Sequence, residues 1–186
     1  MTEPPQNKAA RDCLIFLAVH LALAVLVVLA APAAAADVPR PIELWGRLLQ
    51  SIFPNVQGYS AVTTFETQAW LALVAMWTFM PVAIWWVARG NWVIPDPNLT
   101  ALRRRPWLLI LFPIVFVPLT VFFAMHEPTI SEHSSSRGGR LLKSVIHSPI
   151  EFGMFLGFLY SGLAIALGVL PRMFRIYREV TTDDAL

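Results

Sequence analysis

Four apolar stretches without a single Asp, Glu, Lys or Arg constrain this chain more than any other feature: Cys13–Ala31, Ala69–Ala88, Trp107–Met125 and Phe152–Pro171. Each runs for about 19–20 residues, and at about 1.5 Å rise per residue a helix of that length crosses a hydrocarbon core of about 30 Å. A segment in lipid must satisfy its own backbone polar groups, which for a single apolar run means a helix. The sequence therefore predicts an all-α, polytopic integral membrane protein. Four transmembrane helices form a small bundle, with a short interfacial amphipathic helix in the first periplasmic loop.

The expected boundaries are a cytoplasmic N-terminus over 1–12, a first span over 13–35 and a periplasmic loop over 36–64 that carries the interfacial helix 42–53. A second span over 65–88, a cytoplasmic loop over 89–106, a third span over 107–126 and a periplasmic loop over 127–148 follow. A fourth span over 149–171 and a cytoplasmic tail over 172–186 complete the chain. No stretch between spans exceeds about 40 residues, too little for a soluble core to stand alone. Cys13, the one cysteine among 186 residues, excludes an intrachain disulfide and any Cys-based metal motif.

Charge orients the bundle. Of the 14 Lys and Arg residues, nine (Lys8, Arg11, Arg89, Arg103, Arg104, Arg105, Arg172, Arg175 and Arg178) flank the spans on one side. Five (Arg40, Arg47, Arg137, Arg140 and Lys143) lie on the other. The positive-inside rule puts both termini in the cytoplasm of a bacterial-type inner membrane. The net charge of +2 belongs to this orientation and not to nucleic-acid binding. Lys8 and Arg11 ahead of an apolar run, with small residues over Ala33–Ala36, also fit a secretory signal peptide. The length of that run, with Glu3 and Asp12 before it, favours a retained first helix.

Two helix starts are written in capping-box form, Thr63-Thr64-Phe65-Glu66 before the second span and Ser148-Pro149-Ile150-Glu151 before the fourth. Between spans one and two, Ile42, Trp45, Leu48, Leu49, Ile52 and Phe53 recur at helical spacing, opposite Glu43, Arg47, Gln50 and Ser51. That pattern suits a helix lying in the membrane interface, either as an anchor or as a docking face. In the cytoplasmic loop, Pro95-Asp96-Pro97-Asn98 makes a turn, and Arg103, Arg104 and Arg105 are expected to meet anionic headgroups or a partner's acidic patch. In the fourth span Gly153, Gly157, Ser161 and Gly168 share one face, where small side chains let another helix approach closely. Trp70, Trp77, Trp85 and Trp86 surround Pro81 in the second span, and Pro113 and Pro118 predict kinks in the third.

Signals for chemistry are sparse. His20 is the only side chain within the apolar stretches that ordinarily ionises near neutral pH, and it reads as a packing histidine. His126, His133 and His147 fall at the opposite end of the bundle, so two histidines of one chain cannot clamp a haem, and no cofactor is expected. His126, Glu127, Glu132 and His133 are the densest set of metal ligands, but Pro128 and a Ser/Gly-rich run give them no recognisable metal spacing. No catalytic nucleophile accompanies them. The expected function is a non-catalytic subunit or scaffold of a larger envelope complex, of the secretion, conjugation or transporter type. Its partners are the lipid bilayer and other membrane subunits, or a second copy of itself. A solute-transporter subunit and a membrane enzyme using the periplasmic His/Glu set are the alternatives.

Overall fold

In the computed structural model, residues 5–89 and 144–183 are described, together with positions 111, 114–115, 117–119 and 122. The fold is all-helical, and no strand occurs among the described residues. Helix α1 covers Pro5–Ala30, α2 Arg40–Ile52, α3 Asn55–Ala61, α4 Glu66–Arg89 and α5 Pro149–Asp183, with a short 3-10 turn at Ala35–Asp37. Three of these contain stretches long and apolar enough to cross a membrane: Ala10–Ala30 in α1, Glu66–Arg89 in α4 and Pro149–Pro171 in α5. The predicted third span, 107–126, lies almost entirely outside the described residues, as does the loop 89–106.

Helix α5 is the centre of the bundle. Phe16, His20, Ala24 and Val28 form the buried stripe of α1, one residue per helical turn. Its partner stripe on α5 begins at Gly153 and Gly157. A Cβ at Gly153 would lie 2.8 Å from the Val25 Cα, and one at Gly157 2.8 Å from the Leu21 Cα. Residue numbers rise on α5 as they fall on α1, so the two helices are antiparallel. Helix α4 runs parallel to α5: Phe65 meets Phe152 at its start, Trp77 meets Tyr160 midway, and Val87 meets Gly168 near its end. Gln68 Nε2 donates to the Ala31 carbonyl at 3.3 Å, which ties the end of α1 to the start of α4.

The helix starts obey their capping signals unequally. Ahead of α5, the Ser148 hydroxyl accepts the Glu151 N–H at 3.3 Å, one half of the predicted box. The Thr63–Glu66 box is not formed. Thr63 donates its hydroxyl to the Ser60 carbonyl at 2.9 Å, and Thr64 reaches the Ile146 carbonyl at 3.5 Å. These hydroxyls fasten α3 and the chain before α5 instead of capping α4. The Thr64 N–H donates to the same carbonyl at 3.2 Å, so the two capped ends sit side by side.

Candidate functional site

Between α1 and α4 the chain does not simply cross the surface. Helices α2 and α3 make a hairpin whose tip, Phe53-Pro54-Asn55, packs against Trp77 on α4, and Tyr59 of α3 reaches Phe155 on α5. Phe53 closes α2 with its N–H on the Leu49 carbonyl at 2.7 Å, and Pro54 opens α3, since proline cannot continue the helix before it. The Phe53 ring stacks on Trp77 at a centroid separation of 3.8 Å, and the Trp77 indole N–H donates to Asn55 Oδ1 at 3.1 Å. Trp77 lies eleven residues beyond Glu66, about 16 Å along the helix. The hairpin thus carries an amide well below the level at which α4 and α5 begin.

The surroundings of the tip are packed and polar at once. Asn55 and Ser60 are each 2% exposed, and Val56, Leu73 and Leu156 are completely buried. The Tyr160 ring meets Trp77 edge-on at 5.1 Å. Its hydroxyl, like that of Ser161, is buried. Higher on α3, Tyr59 packs against Phe155 at 6.1 Å, and burial pushes its phenol above its ordinary value.

On the outer side of the hairpin a cleft of about 340 Å³ opens between α2, α3 and the start of α4. Glu43, Arg47, Gln50, Gln57, Glu66 and Trp70 line it. Arg47 Nη2 pairs with Glu43 Oε1 at 2.6 Å, one helical turn apart. Gln50 and Gln57 join across the hairpin at 2.8 Å, and the Trp70 indole donates to Gln50 Oε1 at 3.2 Å. Trp70 also seats its six-membered ring against Gly46, where a side chain would collide with it.

The residues singled out by sequence divide clearly. Gly153 and Gly157 receive α1, and Gly168 receives α4, so the small-residue face is occupied inside the chain. In α2, Leu49 is buried and Phe53 is drawn into the hairpin tip, whereas Leu48 and Ile52 face outward at about half exposure. Trp45 is also outward, anchored by its N–H on the Thr78 hydroxyl at 2.8 Å. His20 is buried, with Nδ1 2.9 Å from the Phe16 carbonyl; since that oxygen only accepts, the bond requires the proton on Nδ1. Arg103, Arg104, Arg105, His126, Glu127, Glu132 and His133 lie outside the described residues. Among the described residues, no three His, Cys, Asp or Glu side chains come together as a metal site.

Sequence reading missed the Asn55–Trp77 pair. A Pro-Asn step between two apolar segments signals a turn, but nothing local to it says how deep the turn is placed. No known family, curated protein or solved structure matches the chain.

Proposed function

We propose that the chain is a non-catalytic membrane subunit of a larger envelope complex, held in a bacterial-type inner membrane with both termini in the cytoplasm. The observation that carries this reading is the filled centre of the bundle. Helices α4 and α5 pack directly on each other, with Phe152, Leu156, Tyr160, Leu73 and Met76 at 0–2% exposure, and the hairpin tip seals Trp77 on α4. A centre packed in this way serves architecture. Outward, Leu14, Ile15, Val19, Leu26 and Leu29 on α1 and Phe79, Val82 and Trp85 on α4 offer apolar faces to lipid or to neighbouring subunits.

A four-span topology is part of the same reading, and the run of the described helices supports it. Helices α4 and α5 begin at one end of the bundle, side by side at Thr64 and Ile146, and run the same way. The chain between Arg89 and Pro149 returns across the membrane in this reading, and 107–126 is proposed as that span because it is a charge-free run of sufficient length. In this reading α2 is the interfacial helix, with Ile42, Leu44, Leu48 and Ile52 toward lipid and Glu43 and Arg47 toward water.

Extraction of the tagged chain in a mild detergent, followed by native mass spectrometry, tests the subunit reading. The expected result is an assembly that contains the chain in defined stoichiometry with another membrane protein. A monodisperse monomer that co-purifies with nothing would overturn it.

A further inference from the structure

We infer that the cleft beneath α2 binds a small ammonium group, a role that goes beyond scaffolding and holds whether or not the chain has a protein partner. Its volume of about 340 Å³ lies within the range of about 300–1,000 Å³ usual for small-molecule sites. The charge lining it is not balanced. Glu43 is engaged with Arg47 at 2.6 Å, whereas Glu66 has no ion pair or side-chain hydrogen bond among the described residues. Two carboxylates thus face one guanidinium, and the site carries one net negative charge.

The remaining lining suits a cation that is partly organic. The Gln50 and Gln57 amides are joined to each other and Gln50 Oε1 also receives the Trp70 N–H, so the floor and one wall are fixed before a ligand arrives. Trp70 stands one helical turn below Glu66 on α4, which places an aromatic ring and a carboxylate on the same wall. A carboxylate beside an indole is a pairing that favours ammonium over a bare metal ion, because it joins charge to a polarisable apolar surface. The cleft opens at the end of the bundle where the apolar spans begin, so the ammonium can come from a free solute or from the headgroup of an aminophospholipid.

The test uses the full chain, wild type and with Glu66→Gln or Glu66→Asp. Calorimetric titration with ethanolammonium chloride, against sodium chloride at equal ionic strength, reports the free solute. Lipid nanodiscs containing phosphatidylethanolamine or only phosphatidylglycerol, followed by native mass spectrometry, report the headgroup. Saturable binding of ethanolammonium or selective retention of phosphatidylethanolamine, weakened at least about tenfold by Glu66→Gln and largely kept by Glu66→Asp, is the expected result. The first readout alone identifies a solute site, and the second a lipid site. Binding in neither format overturns the inference, and so does equal weakening by both substitutions or no weakening by Glu66→Gln.

Discussion

The Trp77 indole donates its N–H to Asn55 Oδ1 across 3.1 Å, joining the middle of a helix long and apolar enough to cross a membrane to the tip of the α2–α3 hairpin. The bond explains why a carboxamide is stable at 2% exposure in so apolar a bundle. It also fixes Trp77 for its two ring contacts, stacked on Phe53 and edge-on to Tyr160. Three elements that are distant in sequence meet on one side chain.

Removing Asn55 leaves the buried Trp77 indole N–H without the acceptor it has in the folded chain. Asn55→Ala is expected to cost about 1–3 kcal/mol, because the indole N–H is then desolvated and unpaired. Trp77→Phe loses the same bond together with part of the ring packing. In a double-mutant cycle the two changes should couple by about 0.5–2 kcal/mol. Thermal melts of the four proteins in one detergent measure this. Strictly additive losses would mean that the bond contributes nothing.

The two glycine environments on α5 make a sharper contrast. At Gly157 a Cβ would stand 2.8 Å from the Leu21 Cα and 3.2 Å from the His20 carbonyl, and backbone cannot swing aside as a side chain can. Gly157→Ala must push α1 away, at a cost of about 1–3 kcal/mol. At Gly162 nothing lies within 4 Å of the same atom. Gly162→Ala should stabilise the helix by about 0.5–1 kcal/mol, since it only removes glycine's conformational freedom. A melt in which the two variants move in the same direction would contradict the packing described.

Much of this architecture was legible in the sequence because it follows from local patterns. The charge-free runs at Cys13–Ala31, Ala69–Ala88 and Phe152–Pro171 located three helices long and apolar enough to cross a membrane, the spacing of Ile42, Trp45, Leu48, Leu49 and Ile52 located α2, and Ser148 with Glu151 located the start of α5. What stayed hidden depends on partners far along the chain. Asn55 and Trp77 are 22 positions apart, and tryptophan in an apolar run looks like packing. Thr63 and Thr64 carry the residues of a capping box, yet carbonyls of Ser60 and Ile146, supplied by tertiary structure, compete successfully for their hydroxyls. The small-residue stripe on α5 was visible as a close-packing face. Its division between α1 near Gly157 and α4 near Gly168 depends on how three helices cross.

Tyr59 supplies a pH dependence with a definite sign. Burial raises its phenol above the ordinary value of 10.0, so the folded protein holds the proton longer than the unfolded chain does. Its contribution to stability is complete below about pH 10 and is lost as pH rises from there through the higher folded value. Denaturation followed between about pH 9 and 11 should show stability falling in the wild type, and falling less in Tyr59→Phe. Identical slopes in the two proteins would remove Tyr59 as a contributor.

The orientation of the bundle yields the last test. Thr64 marks the end where α4 and α5 begin, and Ala88 lies at the far end of α4, about 36 Å away by helix rise. The proposed orientation, from the positive-inside rule applied to the sequence, puts the Ala88 end in the cytoplasm. In a Cys13→Ala background, Thr64→Cys in intact cells should react with a membrane-impermeant maleimide, whereas Ala88→Cys should react only after the cells are opened. Both sites are exposed, so a failure to label reflects the side of the membrane and not burial in the protein. Labelling of Ala88→Cys in intact cells would invert the chain and place the ammonium cleft on the cytoplasmic face.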